Sequence, residues 1–235
     1  MPRIPGSPGG PTLRLRSGGW LLLASFPLVG LGGAWPGWDF SQIAHTVETR
    51  YASLGPTQGR IQSWSEMLQG ERNLPEQEQL SAVNRYFNQQ LAFQDDVRIW
   101  QQSDYWATPV EALIKAAGDC EDYALAKYFS LRQLGVPSDK LRITYVKALT
   151  RNQAHMVLTY YSSPGAEPLV LDNLIGDIRP ASQRRDLLPV YAFNAEGLYL
   201  PGKQGSQRSG DSKKLSRWQD VLKKMQTEGF AVGDG

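Results

Sequence analysis

The chain holds one cysteine, Cys120, and two histidines, His45 and His155, among 235 residues. A lone cysteine excludes an intramolecular disulfide framework. The formal net charge of +2 is too small to argue for a nucleic-acid partner, and no nucleic-acid motif stands out. Internal repeats and runs of like charge are absent. So is any long unbroken hydrophobic run: the stretch from Trp20 to Leu31 is short for a membrane span and is interrupted by Pro27 and glycines. What is present is a globular composition, 41% hydrophobic and 10% aromatic, at a length ample for a real core in one or two domains.

Residues 1–34 read as a secretory signal. Arg3, Arg14 and Arg16 form a basic start, the apolar run follows, and Gly32-Gly33-Ala34 offers small residues for cleavage. The alternative is an uncleaved N-terminal anchor. Either way residues 35–235 are expected to be exported, as a single domain in the periplasm. In an exported protein a lone thiol is either buried and inert or reactive and used.

Residues 39–92 carry three helical stripes: Ile43, Val47, Tyr51 and Leu54, with Ser41 as a candidate cap; Ile61, Trp64 and Met67 or Leu68; and, opened by Pro75, Leu80, Val83, Phe87 and Leu91. His45 falls off its stripe and reads as a solvated histidine. Thr108-Pro109 with Glu111 is a capping-box pattern that predicts a short helix ending at Gly118. Trp106 before it belongs to the core or walls a cleft. After residue 140 the period changes to two. Leu141, Ile143 and Tyr145 mark one strand, Ala154–Tyr161 a second and Pro168–Asp172 a third, with Ser162-Ser163-Pro164-Gly165 as a turn. Residues 189–200 add one or two more around Glu196-Gly197. The polar segment 202–214 is expected to be a surface loop. Leu215, Trp218, Val221, Leu222 and Met225 make a C-terminal helix, and residues 226–235 are expected to fray. Helices first and antiparallel strands after is an α+β plan.

The stretch Gly118-Asp119-Cys120-Glu121-Asp122-Tyr123-Ala124 sits where those two halves meet. Ala124, Leu125, Tyr128, Phe129 and Leu131 recur at helical spacing, and Gly135 and Pro137 end the helix. Cys120 is thus expected in a first turn, where free N–H groups and the helix dipole favour a thiolate. Asp119, Glu121 and Asp122 oppose that, since nearby negative charge raises a thiol pKa. First-turn acids suit a helix, which accounts for Glu121 and Asp122 but not for Asp119. A bound hard cation such as calcium accounts for all three.

A cysteine nucleophile needs a base, and the base needs an orienter. His155 opens the second strand and Asp172 ends the third. If those strands pair through the turn, the two residues meet at one sheet end. Taken alone, His155 is an ordinary strand histidine and Asp172 a turn residue. Taken with Cys120, they follow the order of a papain-like transglutaminase core. The words Trp106-Ala107-Thr108-Pro109-Val110-Glu111, Gly118 to Tyr128, Gly135-Val136-Pro137, Ala154-His155-Met156-Val157 and Leu171-Asp172-Asn173 resemble the bacterial transglutaminase-like cysteine proteinase family. The likeness runs from about residue 38 to 200.

That resemblance implies a papain-like α+β fold with Cys120, His155 and Asp172 as nucleophile, base and orienter. It implies calcium held by Asp119, Glu121 and Asp122. It implies a large repeat adhesin as substrate, cut near its N-terminus at a di-alanine, with biofilm dispersal as the outcome. An inner-membrane receptor that reads cyclic di-GMP would hold the protease through its periplasmic domain. The residues themselves leave two rivals open: an acyltransferase or transglutaminase on the same core, and a non-catalytic binding module.

Overall fold

The computed structural model describes residues 37–51, 55–202 and 205–233. The expected secretory signal and Leu54 lie outside them. Three helices come first, α1 (Phe40–Tyr51), α2 (Pro56–Glu71) and α3 (Glu76–Gln90). Their apolar stripes face inward as the periodicity demands. Ile43, Val47, Ile61, Trp64, Leu68, Leu80, Val83, Phe87 and Leu91 are all buried, while Met67 packs at the margin and His45 is exposed. Asp39 caps α1, taking the Ser41 and Gln42 N–H groups at 3.0 and 3.1 Å, so Ser41 is inside the helix rather than its cap. The Asp39 carboxylate, two residues before Ser41, reaches both free donors.

A short strand β1 (Ala92–Phe93) and the single turn α4 (Asp96–Ile99) lead to α5 (Pro109–Lys115). The predicted capping box is present: Thr108 Oγ1 accepts from Glu111 N at 3.1 Å, and Glu111 Oε2 accepts from Thr108 N at 2.9 Å. The helix stops at Lys115, three residues before Gly118, because Ala116 turns left-handed (φ 49°). The freed residues form β2 (Ala117–Gly118), which pairs in parallel with β1. The cysteine helix α6 (Cys120–Gln133) follows, and its residues 122–131 are all buried. It ends as a Schellman turn: Gly135 has φ 96°, Val136 N donates to Leu131 O, and Gly135 N donates to Arg132 O.

The remaining strands are β3 (Leu141–Ala148), β4 (Gln153–Tyr160), β5 (Leu169–Leu171), β6 (Arg179–Pro180), β7 (Leu187–Asn194), β8 (Gly197–Gly202) and β9 (Gly205–Gly210). They form one antiparallel sheet in the order β6-β5-β4-β3-β7-β8-β9. One face carries Leu141, Ile143, Met156, Leu158, Tyr160, Leu171 and Phe193 into the main core against α6, which α3 and α5 cover from the other side. The segment expected as a loop at 202–214 is instead largely strand. β9 lies at the sheet edge, where one side of the backbone and both faces can meet water, so a Gly/Ser/Arg composition is tolerated.

The last helix, α7 (Ser216–Thr227), buries Trp218, Val221, Leu222 and Met225. The chain after it is docked rather than frayed. Phe230 and Val232 are buried, and the Phe230 ring meets Trp38 edge-on at 4.7 Å. An aromatic side chain gains more by filling this pocket of Trp38 and Trp64 than the tail loses in chain entropy. Among the described residues no helix is long and apolar enough to cross a membrane.

Candidate active site

Cys120 is the first residue of α6 and is half-buried. Its Sγ donates to Glu121 Oε2 at 3.0 Å. Burial pushes the thiol pKa up, and the Glu121 and Asp119 carboxylates push it further, against a lowering contribution from the Met156 N–H of β4 that points at the sulfur. The helix start, worth about 0.3–1 kcal/mol to an anion, is outweighed by those opposing effects.

The two expected strands do pair, in the register Leu158–Leu171. That carries Asp172, one step beyond β5, to the side chain of His155 near the start of β4. His155 Nε2 and Asp172 Oδ1 are 2.8 Å apart, with side chains 3% and 0% exposed. An ionised carboxylate only accepts, so Nε2 carries the hydrogen and Nδ1 is the nitrogen left for a thiol. Asp172 is held from three further directions: Leu174 N donates to its Oδ1 at 3.1 Å, Arg184 Nη2 donates to its Oδ2 at 2.7 Å, and Asn88 of α3 grips its carbonyl at 2.8 Å. Burial alone would raise the Asp172 pKa; the His155, Leu174 and Arg184 hydrogen bonds overcome this and bring it down to about 2. Cys120 and His155 open on one cleft of about 380 Å³, walled by Phe93, Trp106, Tyr145, Ala154, Leu174 and Tyr191. Trp106 therefore does both things its sequence position allowed. It lines the cleft and stacks on Phe193 of the core at 5.6 Å.

The acids around the cysteine are more numerous than the local sequence indicates. Carboxylate oxygens of Asp96, Asp104 and Glu121 lie within 4.8 Å of one another, and so do those of Asp96, Asp119 and Asp122. Among the described residues, Asp96 Oδ1 and Asp119 Oδ1 are buried without a hydrogen-bond partner. Burial and then the charges of Glu121 and Asp122 push Asp119 up to about 10, while burial, Glu121 and Asp104 push Asp96 up to about 6. Orphaned, mutually repelling carboxylate oxygens fit a hard divalent cation. All three expected ligands, Asp119, Glu121 and Asp122, present an oxygen to one of these groups, but their other contacts differ. Asp122 has both oxygens engaged by main chain, Oδ1 by Ala107 N at 2.7 Å and Oδ2 by Asp119 N at 3.2 Å, so its first duty is to fix the loop. Asp96 and Asp104 were missed because pairing of β1 with β2, not sequence proximity, brings them here. The only available signal was the density of acids in Asp95-Asp96 and Asp104 ahead of an acidic cysteine stretch.

The model of the bacterial transglutaminase-like cysteine proteinase family matches residues 61–185. No curated protein matches the chain. Among solved structures it is similar to Legionella pneumophila LapG, at 43% identity and a TM-score of 0.70, covering 81% of this chain and 99% of that one. EGTA-treated LapG from the same organism aligns with a TM-score of 0.71 at 43% identity, over 81% of this chain and 99% of that one. The calcium-bound form gives 0.67 at 43% identity, over 78% and 98%. The matched region contains the cysteine helix, the paired strands and the loop bearing Asp172, and the chain belongs to the bacterial transglutaminase-like cysteine proteinase family.

Proposed function

We propose that this protein is a calcium-dependent cysteine endopeptidase in which Cys120 is the nucleophile, His155 the acid–base and Asp172 the orienter. The observation that carries this reading is that Cys120, at the head of α6, and His155, held from behind by buried Asp172, line the same cleft. His155 Nδ1 takes the thiol proton as Sγ attacks the scissile carbonyl carbon. The tetrahedral oxyanion forms beside the first-turn N–H of Cys120, which has no helical carbonyl to pair with. The C–N bond then breaks, His155 protonates the leaving amine, and a thioester remains. Water deprotonated by His155 attacks that thioester, releasing a carboxylate and the thiol.

Asp96, Asp104, Asp119 and Glu121 would hold the cation, with Asp122 bracing the loop beneath them. Calcium, when bound, supplies positive charge that offsets the carboxylates beside the sulfur. The LapG structure described as calcium-bound supports calcium as the ion.

On the same reading the substrate is a large repeat adhesin, cut near its N-terminus at a di-alanine to release it and promote biofilm dispersal. A cleft narrowed by Trp106, Tyr145 and Tyr191 suits small residues at the cut. The basic start and apolar run within residues 1–34 support action in the periplasm. There the periplasmic domain of an inner-membrane cyclic di-GMP receptor would serve as inhibitor; the family resemblance supports this partner.

Hydrolysis and acyl transfer share the thioester and part at its resolution. Incubating the protein with an adhesin N-terminal fragment, calcium and a primary amine, then reading products by mass spectrometry, separates them. The expected products are two peptides with free ends. An amine-linked product without chain scission would instead establish a transferase.

A further inference from the structure

Asp172 is a fully buried anion, and its two oxygens are divided between two tasks. Oδ1 takes His155 Nε2–H and Leu174 N–H, and, among the described residues, Oδ2 takes only Arg184 Nη2–H. Arg184 is itself 2% exposed and clamped from behind: its Nε and Nη2 reach Asp186 Oδ1 and Oδ2 at 3.0 and 2.9 Å. Its main chain is pinned on both sides, with its N–H donating to Ala181 O and its carbonyl accepting from Leu187 N. The buried Lys127 side chain of α6 also interacts electrostatically with Asp172, but its Nζ has no hydrogen-bond partner among the described residues, and burial brings its pKa down to about 7. Of the two, only Arg184 gives the carboxylate a directed hydrogen bond.

We propose that Arg184 is a positioning residue of this site: its guanidinium locks the Asp172 carboxylate so that Oδ1 holds His155 as the Nε2–H tautomer. This rests on the cysteine-proteinase reading above. Without Arg184, buried Oδ2 loses its hydrogen bond, and the carboxylate relieves that by turning away from the imidazole. The ring then samples both tautomers, and in one of them Nδ1 cannot accept the thiol proton. A surface ion pair would carry no such role, since exposed pairs are loosely held. Here the Arg184 and Asp172 side chains are 1% and 0% exposed.

The chain suits a direct test because it has only two histidines, and exposed His45 serves as an internal reference. With ¹⁵N-labelled histidine in the full chain carrying Cys120→Ala, the two His155 ring nitrogens should give widely separated shifts, Nε2 protonated and Nδ1 not. Adding Arg184→Met should draw those shifts together. In the Cys120 protein the same change should lower kcat by about 10- to 100-fold while KM stays within about twofold, and Arg184→Lys should restore part of the loss. A folded Arg184→Met protein with unchanged His155 shifts and unchanged kcat would overturn the proposal. If Arg184→Met does not fold, Asp186→Asn, which loosens the guanidinium from behind, carries the test: converging shifts support the role and unaltered shifts and kcat contradict it. A parent whose His155 is the Nε2–H tautomer but which cuts no peptide would sink the proteinase reading instead, leaving the tautomer result to judge Arg184.

Discussion

The cysteine alone does not make this site reactive. Its sulfur is half-buried beside acids that raise its pKa, so reactivity depends on what His155 and the acid cluster do around it. Asp172→Ala should lower kcat by about two to four orders of magnitude, as loss of an orienter does in a triad; single-turnover kinetics on a folded variant checks this. The same residue should set an acid limit to stability. Its folded pKa, about 2, lies below its ordinary 3.8, so it stabilises the fold above pH 3.8, and that contribution is lost as pH falls through about 2. The loss should be about 2 kcal/mol, readable in denaturant melts across that window, and smaller in Arg184→Met. Cys120, His155 and Asp172 could be singled out in the sequence because each sits in a local pattern, a helix start or a strand end, and the fold brings His155 and Asp172 together. Arg184 was not. It lies in an irregular stretch between β6 and β7, and only the tertiary fold aims it at Asp172.

Helix starts and stops in this chain are written in side chains that do more than one job. Thr108 caps α5 and also donates to buried Glu228 at 2.8 Å, which ties the end of α7 to that cap. Thr108→Ala should cost about 1–2 kcal/mol, lowering Tm by about 2–4 °C for each kcal/mol. Burial, then the charge of Glu111, pushes Glu228 up to about 8. Because that folded value exceeds the ordinary 4.5, keeping Glu228 ionised in the fold costs stability increasingly as pH rises from 4.5 to about 8. Glu228→Gln should therefore gain a few degrees of Tm over the parent at about pH 9 and little at about pH 5. Gly118 answers a close approach: a Cβ there would stand 2.7 Å from Asp122 Cβ and 2.8 Å from its Oδ2. Gly118→Ala should displace Asp122 from its two main-chain donors and weaken calcium binding, which isothermal titration would detect. The capping box, the Schellman turn and the period-two strands could all be read locally. The strand β9, the docked tail and the β1–β2 pairing could not, since a polar edge strand looks like a loop and Phe230 needs a pocket built from Trp38 and Trp64 to hold it.

At the scale of the whole molecule, α6 is the axis on which the helical layer and the sheet meet, and the site forms where its first turn touches β4. The α+β plan was visible because the hydrophobic period changes once along the chain, and the junction fell at the cysteine. The full acid cluster was hidden, since its members come from three segments that only the assembled fold brings together. Those crowded carboxylates repel one another, and on the calcium reading a bound ion should relieve that. A hundredfold excess over Kd should stabilise the fold by about 2.7 kcal/mol. Asp96→Asn and Asp119→Asn should weaken that response, with thermal melts in calcium against chelator as the check.

The most direct measurement of the central claim is cleavage itself. The protein and its Cys120→Ala counterpart are incubated with the N-terminal fragment of the host's large adhesin, in calcium and in chelator, and the products are read by gel and mass spectrometry. A single cut at a di-alanine, made only by the Cys120 protein and only with calcium, is the predicted result. A folded Cys120 protein that leaves the fragment intact in calcium, or a cut that persists in Cys120→Ala, would contradict it.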